Sequence, residues 1–287
     1  MQPHLQDFGN QSLLIFGGTY GNYTATKALF DEAKKLHIPP SRMICTGDSI
    51  AYIGQPLKTA QFLKAQNPPI VMIQGNCEES LVEGLDDCGC GFEENMLCST
   101  LSNEWFAFCK SELDKSTIAW FDSLPKQFSF TFADKKCLVV HGSPHSINEF
   151  VFESETTKIQ TLLSQSDYDY IIGGHSGLPF TTTHENKVWH NSGALGLPAN
   201  DGENTVHYSL LVCEGDTVTF HHQTLQYDYK IEQEIMSAKG LSEHYQNTLV
   251  TGLWPSTDIL PEAEKKRTGK ALLEKQISIT AQGNRQK

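Results

Sequence analysis

Met43-Ile44-Cys45-Thr46-Gly47-Asp48 is an apolar run that ends on a glycine and a carboxylate, and Ile70-Val71-Met72-Ile73-Gln74-Gly75-Asn76 repeats the pattern with an amide. Short apolar runs bounded by polar turns read as buried strands, and a glycine lets the chain turn tightly where each one ends. Upstream, Leu13-Leu14-Ile15-Phe16 ends in Gly17-Gly18, and Thr24 to Lys35 then carries Ala25, Ala28, Leu29 and Ala33 at helical spacing. Three strand-then-loop units joined by helical segments predict a βαβ-type layered core, with polar residues gathered at the strand ends.

Residues 86–125 are less regular, with helices expected near 103–109 and 115–123, and read as a helical insertion over the strand ends. Strands resume with Phe128 to Phe132, Cys137 to Val140, Tyr170 to Ile172, Lys187 to Trp189, Val206 to Cys213 and Thr217 to His222, several separated by hairpin-like turns. This strand-rich half predicts a second sheet packed on the first. From about Tyr227 the character turns to charged helical sequence, interrupted by Thr251-Gly252-Leu253-Trp254-Pro255. The expected organisation is a domain over 1–226 and a helical C-terminal extension over 227–287, its last dozen residues frayed.

The chain has 287 residues, 39% hydrophobic and 20% charged, enough to bury a large core without staples. A formal net charge of -12 argues against general nucleic-acid binding, which needs clustered Lys and Arg. Met1 to Asn10 carries no leader pattern, and no apolar stretch approaches the roughly 20 residues of a membrane span. The expectation is a cytoplasmic protein with no membrane association. In a reducing compartment the eight cysteines are not expected to form a disulfide framework. Cys77, Cys88, Cys90 and Cys98 lie close enough in sequence to leave a soft-metal or redox site open, although C-x-C is not the zinc-ribbon spacing.

Each polar strand end offers a metal ligand: Asp48, Asn76, His141 after Leu138-Val139-Val140, and His175 after Ile171-Ile172-Gly173-Gly174. A carboxylate, an amide oxygen and two imidazoles suit Mn, Fe or Zn better than a thiolate site would. The other histidines read as satisfied strand or turn residues, with His190 beside Asn191 a candidate outer partner. Glu78 and Glu79 stand at a helix start, where the helix dipole accounts for them.

The ordered set Gly47-Asp48, Gly75-Asn76-Cys77-Glu78, His141-Gly142 and Gly174-His175 resembles the calcineurin-like metallophosphoesterases, whose signature runs D-x-H, G-D, G-N-H-[DE], H, G-H-x-H. Asn191-Ser192-Gly193-Ala194-Leu195-Gly196-Leu197-Pro198 is similar to the N-P-G-S-x-G-x-P segment of the small bacterial phosphodiesterase branch. The resemblance implies a four-layer α/β/β/α sandwich of two mixed sheets. It also implies a metal-dependent phosphoester hydrolase, a phosphodiesterase or phosphomonoesterase acting on a small organic phosphate through a metal-activated water.

The departures fall together. Gly18 and Tyr20 stand where the D-x-H pair belongs, and Gly177 replaces the last histidine. The resemblance assigns those three positions to the first metal, and Asp48, Asn76, His141 and His175 to the second, with Asp48 as bridge. One divalent transition metal is therefore expected, and the first site is absent in its familiar form. Cys77 holds the place of the histidine that assists the leaving group, so Cys77 and Asp48 are the expected catalytic residues. Gly18, Tyr20 and Asn22, in the Gly17 to Asn22 loop, are expected to receive phosphate oxygens. The alternative is a non-catalytic metal- or phosphate-ligand-binding protein that keeps the fold. The extension would serve packing or dimerisation, with Trp254 as an aromatic anchor.

Overall fold

Alternation along one short strand sets out the layers. In β2 (Leu13–Phe16), Leu13 and Ile15 face one way and pack with Phe130, Val139, Tyr170, Ile172 and Phe220. Leu14 and Phe16 face the other way, onto Ala25, Leu29 and Leu63 of two helices, as side chains on a strand must. Leu138, Ile171 and Trp189 meet Ile159, Leu162 and Leu163 of a further helix. The result is helix, sheet, sheet, helix, the four layers that the resemblance implies.

The computed structural model describes residues 5–92, 96–272 and 276–280. Its other strands are β1 (Gln6–Asp7), β3 (Met43–Cys45), β4 (Val71–Met72), β5 (Phe128–Phe132), β6 (Lys135–Val139), β7 (Tyr170–Gly173), β8 (Pro179–His184), β9 (Lys187–Ser192), β10 (Val206–Glu214), β11 (Thr217–Leu225) and β12 (Gln276–Thr280). The helices are α1 (Tyr23–Lys35), α2 (Pro56–Lys64), α3 (Asn76–Glu83), α4 (Leu97–Glu112), α5 (Lys115–Asp122), α6 (Thr156–Gln165), α7 (Tyr229–Ala238), α8 (Glu243–Thr251) and α9 (Glu262–Lys265). One sheet runs β1-β5-β6-β7-β9-β8 and the other β12-β11-β10-β2-β3-β4. Each mixes parallel and antiparallel pairs: β2, β3 and β4 are parallel, as are β6, β7 and β9. Among the described residues, no helix is long and apolar enough to cross a membrane.

The sequence reading does not name β1, α6, β8 or β12. β8 pairs antiparallel with β9, yet Pro179-Phe180-Thr181-Thr182-Thr183-His184 carries no apolar alternation to announce it. Residues 276–280, expected to fray, instead add β12 to the edge of the second sheet against β11. The rest of the expected frayed tail, 281–287, lies outside the described residues.

Helices dominate the extension, and a buried carboxylate ties it to the core. Glu232 of α7 accepts hydrogen bonds through Oε1 from the Thr24 backbone N–H (2.8 Å), the Thr24 hydroxyl (2.7 Å) and Gln55 Nε2 (2.7 Å), at the start of α1. Glu232→Ala would orphan the half-buried Thr24 N–H, so a loss of about 1 kcal/mol in stability is expected by denaturant unfolding. Burial raises the Glu232 pKa above its ordinary value, against the hydrogen bonds from Thr24. A raised carboxyl pKa means stability that is full below the unfolded pKa of about 4.5 and lost as pH rises through the folded value. Glu232→Gln keeps the oxygen without the charge, so it should gain on wild type from pH 5 to pH 8; a constant difference would contradict this.

Candidate metal centre

Asp48, Asn76, His141 and His175 lie just beyond β3, β4, β6 and β7, so both sheets aim a side chain at one point from the carboxyl ends of parallel strands. The turns are tight. Asp48 and His175 adopt left-handed φ values of 54° and 55°, unfavourable for non-glycine residues and concentrated at functional sites. Gly75 is required by close approach, because a Cβ there would run into Asp48 Oδ1.

His141 Nε2 lies 2.9 Å from Asn76 Oδ1, 3.2 Å from Asp48 Oδ2 and 3.2 Å from His175 Nδ1. One ligand atom each from Asp48, His141 and His175 falls within 4.8 Å of the others. The outward groups fix which atoms face inward. His141 Nδ1 sits 2.7 Å from the Thr46 carbonyl oxygen, which places its hydrogen there and leaves Nε2 to the centre. Asn76 Nδ2 donates to the Cys88 carbonyl (2.8 Å), which turns Oδ1 inward. His175 turns Nδ1 to His141 Nε2, while its Nε2 is buried with no hydrogen-bond partner among the described residues.

Electrostatics at this point favour positive charge. Burial opposes protonation of His141, but the Asp48 carboxylate outweighs it and raises the His141 pKa. Burial and the neighbouring His141 push His175 down to about 3, so its Nδ1 presents a lone pair. Four inward-facing lone-pair atoms, two oxygens and two nitrogens, fit a divalent transition ion.

The sequence reading passed over the group that holds these ligands. Glu78 is fully buried at the third position of α3, and its carboxylate accepts from the backbone N–H groups of Asp48 (2.9 Å), Ser49 (2.7 Å) and Gly75 (2.8 Å) and from the Ser49 hydroxyl (2.7 Å). It thus clamps the turn of β3 to that of β4. Asn191 does the same for His175: its Nδ2 donates to the Gly174 carbonyl (2.7 Å) and the Ser176 hydroxyl (2.9 Å). His190 stays away, bonded to Thr181 (2.8 Å) and packed on Phe220.

The three positions that the resemblance assigns to a first metal are filled by aromatic rings. A Cβ on Gly18 would strike the Tyr20 ring, and one on Gly177 would lie 3.4 Å from Trp254 Cζ2 and 3.9 Å from the Tyr20 hydroxyl. Tyr20 itself is buried, packed edge-on to Tyr52 at 4.8 Å, and burial beside Asp48 raises its pKa. Tyr20 lines the cleft, with its hydroxyl on the Gly177 side, whereas Gly18 is covered and turns its carbonyl to Leu195 and Gly196.

Asn22 is a helix cap with no free polar atom to offer phosphate. Its Oδ1 accepts from Ala25 N (2.9 Å), and its Nδ2 donates to the Gly196 carbonyl and the Tyr227 hydroxyl. Nor is the loop an anion nest at Tyr20, Gly21 and Asn22, whose N–H groups bond to the carbonyls of Asp48, Ser49 and Thr19. Cys77 also differs from expectation. Its N–H donates to Asp48 Oδ1 (3.1 Å), but its thiol is buried, lies off the cleft wall, and has its pKa raised by burial and Asp48. Cys88 and Cys90 form a disulfide, so they are not a thiolate pair for a soft metal; Cys98 lies in the cleft wall.

Over the centre opens a cleft walled by Tyr52, Phe150, Leu197, Tyr245, Trp254 and Ile259, with Asp48 and His175 at its base. The sequence matches the model of the calcineurin-like phosphoesterase superfamily domain over residues 12–216. The chain belongs to that superfamily. Among solved structures of the same fold, a metallophosphoesterase from Sphaerobacter thermophilus shares 20% identity at a TM-score of 0.65, over 85% of this chain and 100% of that one. The hypothetical protein PH1004 from Pyrococcus horikoshii OT3 shares 14% at 0.70, over 85% and 99%. No curated protein sequence matches the chain. Asp48, His141 and His175 form a cluster that could hold a metal ion, and Tyr20 and Trp254 lie beside Gly18 and Gly177.

Proposed function

We propose that the chain is a metal-dependent phosphoester hydrolase that works with a single divalent ion held by Asp48, Asn76, His141 and His175. The observation that carries this reading is the convergence of four lone-pair atoms on one point at the base of a cleft. A divalent ion there would neutralise phosphoryl charge and lower the pKa of a water. The protein's own contribution is positioning. Glu78 and Asn191 hold the ligand turns, and the Tyr20 hydroxyl, with no hydrogen-bond partner among the described residues, is a neutral donor at the cleft wall for a phosphoryl oxygen. The raised Tyr20 pKa keeps that proton in place at neutral pH.

A second reading, a binding protein that keeps the ion and has no turnover, draws on the Tyr20 ring, which a Cβ on Gly18 would strike, and on Trp254 packed beside Gly177. Metal analysis of protein purified without added ions, beside His141→Ala and followed by an ester screen with Mn, separates the two. The hydrolase reading expects about one ion per chain, lost with turnover in the variant. An ion without turnover favours the binding protein, and no ion in wild type would overturn both.

A further inference from the structure

If the centre hydrolyses phosphoesters, as proposed above, the cleft walls decide which ones. Among the described residues, no lysine or arginine lines the cleft. With a divalent ion and the Asp48 carboxylate, the fixed charge at its base is about one positive unit, and a second carboxylate, Glu78, lies behind. A phosphomonoester dianion would bring uncompensated negative charge into a largely apolar site, which is costly, whereas a phosphodiester monoanion is balanced. The chain's net charge of -12 acts in the same direction.

The C-terminal extension supplies part of the apolar wall of the cleft, Tyr245, Trp254, Pro255 and Ile259, with Ser256 beside them. Trp254 is held rigidly: its indole N–H donates to the Pro198 carbonyl (2.7 Å) and its backbone N–H to Asn200 Oδ1 (2.9 Å). Those bonds lay the edge of the ring against Gly177, two residues from His175. A half-buried aromatic plane fixed beside the candidate metal centre, in a cleft that no lysine or arginine of the described residues lines, is suited to a flat apolar group. We propose that the extension makes this a cleft for phosphodiester monoanions that carry a flat aromatic substituent, with Trp254 as the surface on which the substituent lies.

The test is binding to full-length, Mn-loaded protein by calorimetry at pH 8.5, where phenyl methylphosphonate is a monoanion and phenylphosphonate a dianion, with methyl methylphosphonate as the ringless control. The phenyl monoanion is expected to bind about tenfold tighter than either, and Trp254→Ala to abolish the advantage over the ringless compound with Mn still bound. Trp254→Leu repeats the comparison should the alanine variant misfold. Equal or tighter binding of the dianion, or a ring advantage that survives in the folded variant, would overturn the proposal. Turnover of diester and monoester sharing one leaving group is measured in parallel. Hydrolysis of neither overturns the hydrolase reading, while the binding preferences still decide the role of the cleft.

Discussion

Asp48→Asn is expected to leave the chain folded and to weaken Mn binding by about two to three orders of magnitude. The amide has the shape of the carboxylate, and its oxygen can still accept the Cys77 N–H that now reaches Oδ1 at 3.1 Å. What disappears is the negative charge that favours a cation beside His141, and Asp48 is the only carboxylate in the cluster found among the described residues. Removing one partner of a buried charge pair typically costs about 3–5 kcal/mol, which sets the magnitude. Competition with a fluorescent chelator measures it. Because an ion that binds only the folded state raises its stability, Mn should shift the melting temperature of wild type and leave that of Asp48→Asn almost unmoved. Cys77→Ala is the contrasting variant, since that thiol sits off the cleft wall and should change the affinity little. An Asp48→Asn affinity within about threefold of wild type would exclude the four-residue centre.

The convergence of Asp48, Asn76, His141 and His175 was legible in the sequence because each closely follows an apolar run, so the local pattern of strand and turn already places it at a strand end. Asp48 and His175 are cases in point. The layers were legible for the same reason, since Leu13 to Phe16 must be buried on both faces. What could not be read depends on contacts between distant segments. Trp254 meets Gly177 only because the extension folds back over the cleft, and no spacing in the sequence encodes that return. Tyr20 looked like a ligand substitute at a strand end. Packing against Tyr52 and over Gly18 makes it part of the cleft wall. Asn22 looked equally available, yet a short polar side chain two residues before a helical run is also the common helix cap, which is what it is. β12 was missed although Ile277-Ser278-Ile279-Thr280 alternates as a strand does, because its place in the last dozen residues reads as a frayed end; pairing with β11 holds it.

Glu78 is where local reasoning misled most, and it carries the largest expected effect on stability. A glutamate in the first turn of a helix is ordinarily explained by the helix dipole, a solvated interaction of about 0.3–1 kcal/mol. Here the side chain is fully buried, and each carboxylate oxygen takes two donors: Oε1 the N–H and hydroxyl of Ser49, Oε2 the N–H groups of Asp48 and Gly75. Glu78→Gln therefore cannot be conservative. Whichever way the amide is turned, its NH2 group faces donors, and at least one backbone N–H loses its acceptor in a place that water does not reach. At about 1–3 kcal/mol for each orphaned donor, the loss should be about 3 kcal/mol. That corresponds to a melting temperature lower by roughly 6–12 °C for a domain of this size. Since the orphaned groups belong to the turns that present Asp48 and Asn76, Mn binding should weaken as well, although Glu78 touches no ion. Glu79→Gln is the control one residue away: its carboxylate reaches only the exposed Lys126, and its loss should cost no more than about 0.5 kcal/mol. If thermal unfolding shows the two variants to be equal, the dipole explains Glu78 after all, and the clamp between β3 and β4 has no energetic weight.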